Sequence, residues 1–136
     1  MNKTEIPVQN ECRLQLSKIG GIAYRNNSGV AYDSNGTPVR FGLGNDSAKI
    51  NKVRKSTDLI CCLPVEITPE MVGHTVGIML VIDAKKPTWK YKESDKTATA
   101  QLNFIKQIRN LGGIGGFVTH INDLKYIINK WYERFK

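Results

Sequence analysis

Three features of this 136-residue chain predict an α/β domain with a mixed sheet. Short apolar, β-branched runs alternate with stretches of helical period, and Gly- or Asn-rich clusters separate them. A strand, helix, strand passage from about residue 76 to 120 calls for parallel strands joined by a right-handed crossover. Hairpin chemistry upstream calls for antiparallel pairs instead. The whole chain, 1–136, is expected to form a single domain, long enough to bury a core of its own.

The elements follow in order. Pro7 can open a first helix over about residues 7 to 19, with Cys12, Leu16 and Ile19 on one apolar stripe and Gly20-Gly21 as its stop. Ile22 to Arg25 reads as a short strand, closed by the turn residues Asn26-Asn27-Ser28-Gly29. Val30 to Tyr32 and Thr37 to Phe41 form a hairpin around Asp33-Ser34-Asn35-Gly36. Residues 42 to 57 are polar and read as a loop. Apolar strands are expected at about 58 to 64 and 76 to 83, with Thr68 capping a brief turn between them. A basic loop carrying Trp89 and Tyr91 leads to a helix over 97 to 111, with Gln101, Phe104, Ile105 and Ile108 on one side. Gly112-Gly113 stops it, and Gly115 to His120 is a further core strand. Asn122 or Asp123 is expected to cap a last helix in which Leu124, Ile127, Ile128, Trp131, Tyr132 and Phe135 keep helical spacing.

Composition narrows the function. The net charge is +8, from 20 Lys and Arg against 12 Asp and Glu, which favours a polyanionic partner through counterion release. Cys12, Cys61 and Cys62 include no C-x-x-C pair, so a structural zinc site is disfavoured and reduced, mostly buried thiols are expected. Met1 to Glu5 lacks the apolar core of a signal peptide, and no apolar run reaches membrane-spanning length. A cytoplasmic protein with no membrane partner and no organic cofactor is expected.

The most informative stretch is Gly77-Ile78-Met79-Leu80-Val81-Ile82-Asp83-Ala84-Lys85. Side chains alternate along a strand, so Asp83 and Lys85 share a face at the end of a buried strand. Asp58 stands at the entrance of the preceding apolar strand. Phosphodiester hydrolysis needs a divalent cation to polarise the phosphoryl oxygen and acidify the attacking water. A hard ion such as Mg²⁺ takes carboxylates, carbonyls and water. Asp58 and Asp83 supply carboxylates, the Ala84 carbonyl a neutral oxygen, and Glu11 on the first helix a further ligand. Lys85 would orient the water or stabilise developing charge, and Gln101 would clamp water or phosphate. Arg25 and Arg40 would meet phosphates, while Lys49, Lys52, Arg54, Lys55 and Lys86 mark basic loops that bracket both acids.

The ordered series Glu11, Tyr24-Arg25-Asn26-Asn27-Ser28-Gly29, Val39-Arg40-Phe41-Gly42, Ser56-Thr57-Asp58-Leu59-Ile60, Ile82-Asp83-Ala84-Lys85, Gln101 with Phe104, Gly112-Gly113 and Gly116-Phe117-Val118 resembles the VRR-NUC family of the PD-(D/E)xK nuclease superfamily. The resemblance spans about residues 10 to 125. It implies a restriction-endonuclease-like core, a mixed sheet flanked by helices, and a Mg²⁺- or Mn²⁺-dependent DNA endonuclease acting on branched or flapped DNA in replication or repair. Stand-alone copies of this size look like phage-encoded members, which resemble Holliday-junction resolvases and act as homodimers in the host cytoplasm. Two positions depart from the pattern: Asp83 stands where the family usually has Glu, and Thr57 replaces the proline of the signature.

Duller readings exist for each residue. Asp83 and Lys85 would make a solvated strand end, Asp58 a cap, and Glu11 and Gln101 surface residues. Two other functions compete: a non-catalytic DNA-binding module with a degenerate nuclease site, and a nuclease acting on RNA.

Overall fold

In the computed structural model, which describes residues 5–136, the first helix runs over Glu5–Lys18 (α1). It starts ahead of Pro7, because a proline in the first turn forfeits only an N–H that has no intrahelical partner. Gly20, at φ 86°, ends it in the left-handed conformation expected of a glycine stop. The stripe of Cys12, Leu16 and Ile19 is not the buried face: Cys12 is exposed and Ile19 is 51% exposed. Buried Gln9 and half-buried Arg13 and Leu16 share the inward face instead, a phase that the apolar residues alone do not reveal.

The described chain divides by its packing into two compact units, one ending at Leu63 and the other spanning Pro64–Lys136. In the first, β1 (Ile22–Arg25) pairs antiparallel with β4 (Leu59–Cys62), Ile22 opposite Cys62 and Arg25 opposite Leu59. The hairpin is as expected: β2 (Gly29–Tyr32) pairs antiparallel with β3 (Pro38–Phe41). Its turn is held by the Asp33 carboxylate, which accepts from the N–H groups of Asn35 and Thr37, both at 2.9 Å. The polar stretch 42 to 57 is more than a loop. It contains a short helix, α2 (Ala48–Asn51), capped by the Ser47 hydroxyl, which accepts from the Ile50 N–H.

The second unit is a parallel pair dressed with helices. After a 3₁₀ turn at Pro69–Met71, with Thr68 at its N-cap, come β5 (Leu80–Ala84), α3 (Lys96–Asn110), β6 (Ile114–Val118) and α4 (Ile121–Glu133). β5 and β6 are parallel, as a strand, helix, strand crossover requires. Asp95 caps α3 by accepting from the Ala98 N–H, and Gly112, at φ 98°, stops it. Ala98, Ile105 and Ile108 of α3 and Ile114 of β6 are buried, with Ala98 and Ile108 wholly inaccessible. That close approach depends on glycine at residue 115, where a Cβ would lie 2.9 Å from Val81 and 3.0 Å from Ile105.

Several boundaries differ from those read in sequence. The last helix is capped by His120, whose Nδ1 accepts from the Asn122 N–H, rather than by Asn122 or Asp123. Asp123 sits within the first turn and reaches back to the N–H and hydroxyl of Thr119. β5 is not buried on both faces, since Leu80 and Ile82 are 38% and 45% exposed while Val81 and Asp83 turn inward. β6, with Ile114 to Gly116 buried, is the strand that lies inside. Among the described residues, the strand pairs form separate two-stranded ladders, two antiparallel and one parallel. Of the thiols only Cys62 is buried, and burial pushes its pKa up; burial and then the nearby Cys62 also raise that of Tyr24. Among the described residues no helix is long and apolar enough to cross a membrane.

Candidate active site

The parallel ladder builds the site from the backbone outward. Its hydrogen bonding runs one residue past β5, where the Lys85 N–H donates to the Val118 carbonyl at 2.8 Å. Strand alternation therefore persists through Lys85, so Asp83 and Lys85 project from the same face. At the other end of the ladder the Met79 carbonyl accepts from the Ile114 N–H. The peptide groups of the odd-numbered residues thus face β6, and the Ala84 carbonyl falls on the opposite edge, which has no ladder partner among the described residues.

Asp83 and Lys85 meet the second turn of α3. Lys85 Nζ lies 2.9 Å from Asp83 Oδ2 and donates to Gln101 Oε1 at 2.9 Å. Gln101 Nε2 donates to Asp83 Oδ1 at 3.0 Å. The three side chains close a ring in which each contacts the other two. Their setting is partly screened from water, with the Lys85 and Asp83 side chains 19% and 31% exposed. An ion pair at this depth is attenuated less by solvent than a surface one.

An aromatic wall that was not foreseen completes the site. Trp89 and Phe117 pack with ring centroids 4.8 Å apart, and Tyr91 stacks on Phe117 at 6.1 Å. The Lys85 ammonium lies 5.4 Å from the Trp89 ring and 5.7 Å from that of Phe117, within cation–π range. Tyr91 is tied to the start of α3 by a 3.1 Å hydrogen bond between its hydroxyl and that of Thr99. The sequence signal was present: aromatics set among lysines next to the acid-x-Lys, together with Phe117 directly across the ladder from Asp83.

The other candidate residues lie in the first unit. Asp58 immediately precedes β4 and is exposed, and its carbonyl accepts from the Asn26 N–H at 2.9 Å. Glu11 is exposed on α1. Arg25 is exposed at the end of β1, and half-buried Arg40 donates to Asn45 Oδ1 at 3.2 Å. Lys49, Lys52, Arg54 and Lys55 are all exposed, as is Lys86 of the second unit, and Arg54 lies 3.9 Å from Asp46. Asn26 is a positioning residue missed as turn chemistry. Its Nδ2 donates to Ser56 Oγ at 2.8 Å and to the Thr57 carbonyl at 3.1 Å, while its Oδ1 accepts from the Leu43 N–H at 2.9 Å. The segment leading to Asp58 is thereby stitched to the turn after β3.

Among the described residues no three His, Cys, Asp or Glu side chains converge. The oxygen donors grouped within the second unit are the Asp83 carboxylate and the neighbouring Ala84 carbonyl. Both are hard ligands, and each carboxylate oxygen has acceptor capacity beyond the single bond it makes to Lys85 or Gln101. That donor chemistry fits Mg²⁺ or Mn²⁺ and not a soft metal. No family model, curated protein or solved structure matches this chain.

Proposed function

We propose that this protein is a metal-dependent DNA endonuclease that hydrolyses phosphodiester bonds, with branched DNA as its substrate. The observation that supports this reading best is the closed contact of Asp83, Lys85 and Gln101 at the end of a parallel strand. An acid, a base and a neutral amide held together in a half-screened niche suit phosphoryl chemistry better than a solvated strand end does. In the reading, Asp83 and the Ala84 carbonyl hold Mg²⁺ or Mn²⁺. When bound, such an ion polarises the phosphoryl oxygen and makes water a stronger nucleophile. Lys85, fixed by Gln101, holds its ammonium where it can orient water and offset charge on the phosphoryl oxygens. The Trp89 and Phe117 rings keep bulk water from one side of that ammonium. The exposed Lys and Arg residues supply the salt-dependent affinity for the phosphate backbone. A two-fold homodimer would present two such sites to a four-way junction.

The test is a cleavage panel. Native protein and Asp83→Ala are incubated with labelled four-way junction, flap, duplex and single-stranded DNA, and with matched RNA, in Mg²⁺, Mn²⁺ or EDTA. Metal-dependent cutting of the branched DNA by the native protein alone is expected. Equal cutting by Asp83→Ala, or none by the native protein while junction binding persists, would sink the nuclease reading and favour a binding module.

A further inference from the structure

A different cavity, with a different chemistry, lies at the opposite end of the β5–β6 ladder from Asp83 and Lys85. It has a volume of about 420 Å³ and opens where α3 ends, β6 begins and the last two turns of α4 pass over them. That size suits a small organic molecule. Buried Ile114 and half-buried Trp131 line its inner part, and exposed Arg109, Tyr126, Lys130 and Arg134 line its mouth.

Two of these side chains are held in place. The Trp131 indole N–H donates to the Gly112 carbonyl at 2.9 Å, and the ring is braced edge-on by Tyr132 and Phe135. Arg109 Nε donates to the Gly115 carbonyl at 2.8 Å, which occupies one of five guanidinium donors of a residue that lines the cavity. Lys130 lies 5.6 Å from the Tyr126 ring and 3.3 Å from Glu133. Among the described residues neither Arg109 nor Arg134 has a carboxylate partner. Cations in the last turn of a helix ordinarily complement its dipole, which accounts for Arg109 on α3 and Lys130 on α4 taken singly. It does not account for their convergence with Arg134 on one cavity that also has an aromatic wall.

We propose that this cavity binds a nucleoside phosphate, with the base against Trp131 and Tyr126 and the phosphate among Arg109, Lys130 and Arg134. Flat apolar surface beside unpaired guanidinium selects a ligand that is aromatic and anionic at once. Such a ligand is either a free nucleotide or one unit of a single strand, since both present the same base and phosphate. The inference does not rest on the nuclease reading.

The experiment follows the Trp131 indole N–H by NMR while the full chain is titrated with deoxyadenosine monophosphate, a short deoxyadenosine single strand, or inorganic phosphate. A saturable shift with either nucleotide probe, weakened about tenfold by Arg134→Gln or Lys130→Gln, supports the site. Tighter binding of the monophosphate names a free nucleotide as the ligand, and tighter binding of the strand names single-stranded DNA. Asp83→Ala should bind as the native protein does, so loss of cleavage and loss of this site are separable. Absence of saturation at millimolar probe, phosphate binding as tight as nucleotide binding, or indifference to both substitutions overturns the proposal.

Discussion

The two units solve the problem of holding short strands together by different means. In the Pro64–Lys136 unit an α-helix lies on a parallel pair, and Ala98, Ile105, Ile108 and Ile114 are buried there. Among the described residues of the preceding unit Cys62 is the one buried hydrophobic side chain, and Val30, Val39 and Phe41 of the hairpin are 40%, 50% and 48% exposed. Polar stitching takes the place of a core. Asn45 Nδ2 donates to the carbonyls of Gly29 and Phe41, and its Oδ1 accepts from Asn51 and Arg40. Non-directional burial tolerates sequence change but demands volume, whereas a hydrogen-bonded stitch demands one particular side chain. The ring of acid, lysine and glutamine belongs to the unit with the core, whereas each unit carries a basic loop, residues 49–55 with four Lys and Arg and residues 85–96 with five Lys.

That contrast breaks most easily at Ile108. Ile108→Ala should cost about 2–5 kcal/mol in urea denaturation, because the residue is wholly buried and α3 is pinned on both sides of it. The same truncation at half-buried Ile60 in β4 should cost distinctly less. An equal loss at Ile60 would mean that the first unit relies on apolar packing after all.

Asn26→Ala sharpens the other side of the comparison. Loss of its bonds to Ser56, Thr57 and Leu43 should cost about 1 kcal/mol, since these groups are near solvent and water replaces the missing partners. The local consequence is larger than the global one. Hydrogen exchange at the Leu43 amide and through residues 56–58 should accelerate, while the amides of β5 and β6 keep their protection. Uniform acceleration in both units would show instead that Asn26 supports the whole fold.

The same division governs what was legible in the sequence. Helical period and a glycine stop placed α3 to within a residue, because burial on one face writes a period into the chain, whereas β5 begins at Leu80, four residues later than its apolar run suggested. Asp83, Lys85 and Gln101 were legible for a related reason: alternation puts the first two on one face, and the crossover returns a helix over it. Bounds failed where capping decides them. His120, not Asn122 or Asp123, caps α4, and Pro7 lies inside the first turn of α1 rather than opening it. The inward face of α1 was misread because Gln9, a polar residue, occupies its most buried position. The roles of Asn26 and Asn45 were invisible, since a side chain that bonds to carbonyls and amides across the chain leaves no pattern in its neighbours.

The smallest effect expected is at the start of α4, and it depends on pH. The Asp123 carboxylate accepts from the Thr119 N–H at 2.8 Å and from the Thr119 hydroxyl at 2.9 Å. Those bonds, the backbone one first, favour the ionised form and hold its pKa below the ordinary aspartate value. A depressed native pKa adds stability above the unfolded value of about 3.9 and withdraws it as pH falls through the native one. The melting temperature of Asp123→Asn should therefore lie slightly below that of the native protein at pH 7. The gap should hold down to about pH 4 and close below it, as the native carboxyl takes up its proton. Because the group is half-buried and water can replace part of its hydrogen bonding, the shift should remain far smaller than that of Ile108→Ala. A gap that instead widened in acid would mean that the Thr119 bonds favour the protonated carboxyl, and that α4 is seated by the packing of Ile127 on Gly116 and the Trp131 bond to Gly112 without help from this charge.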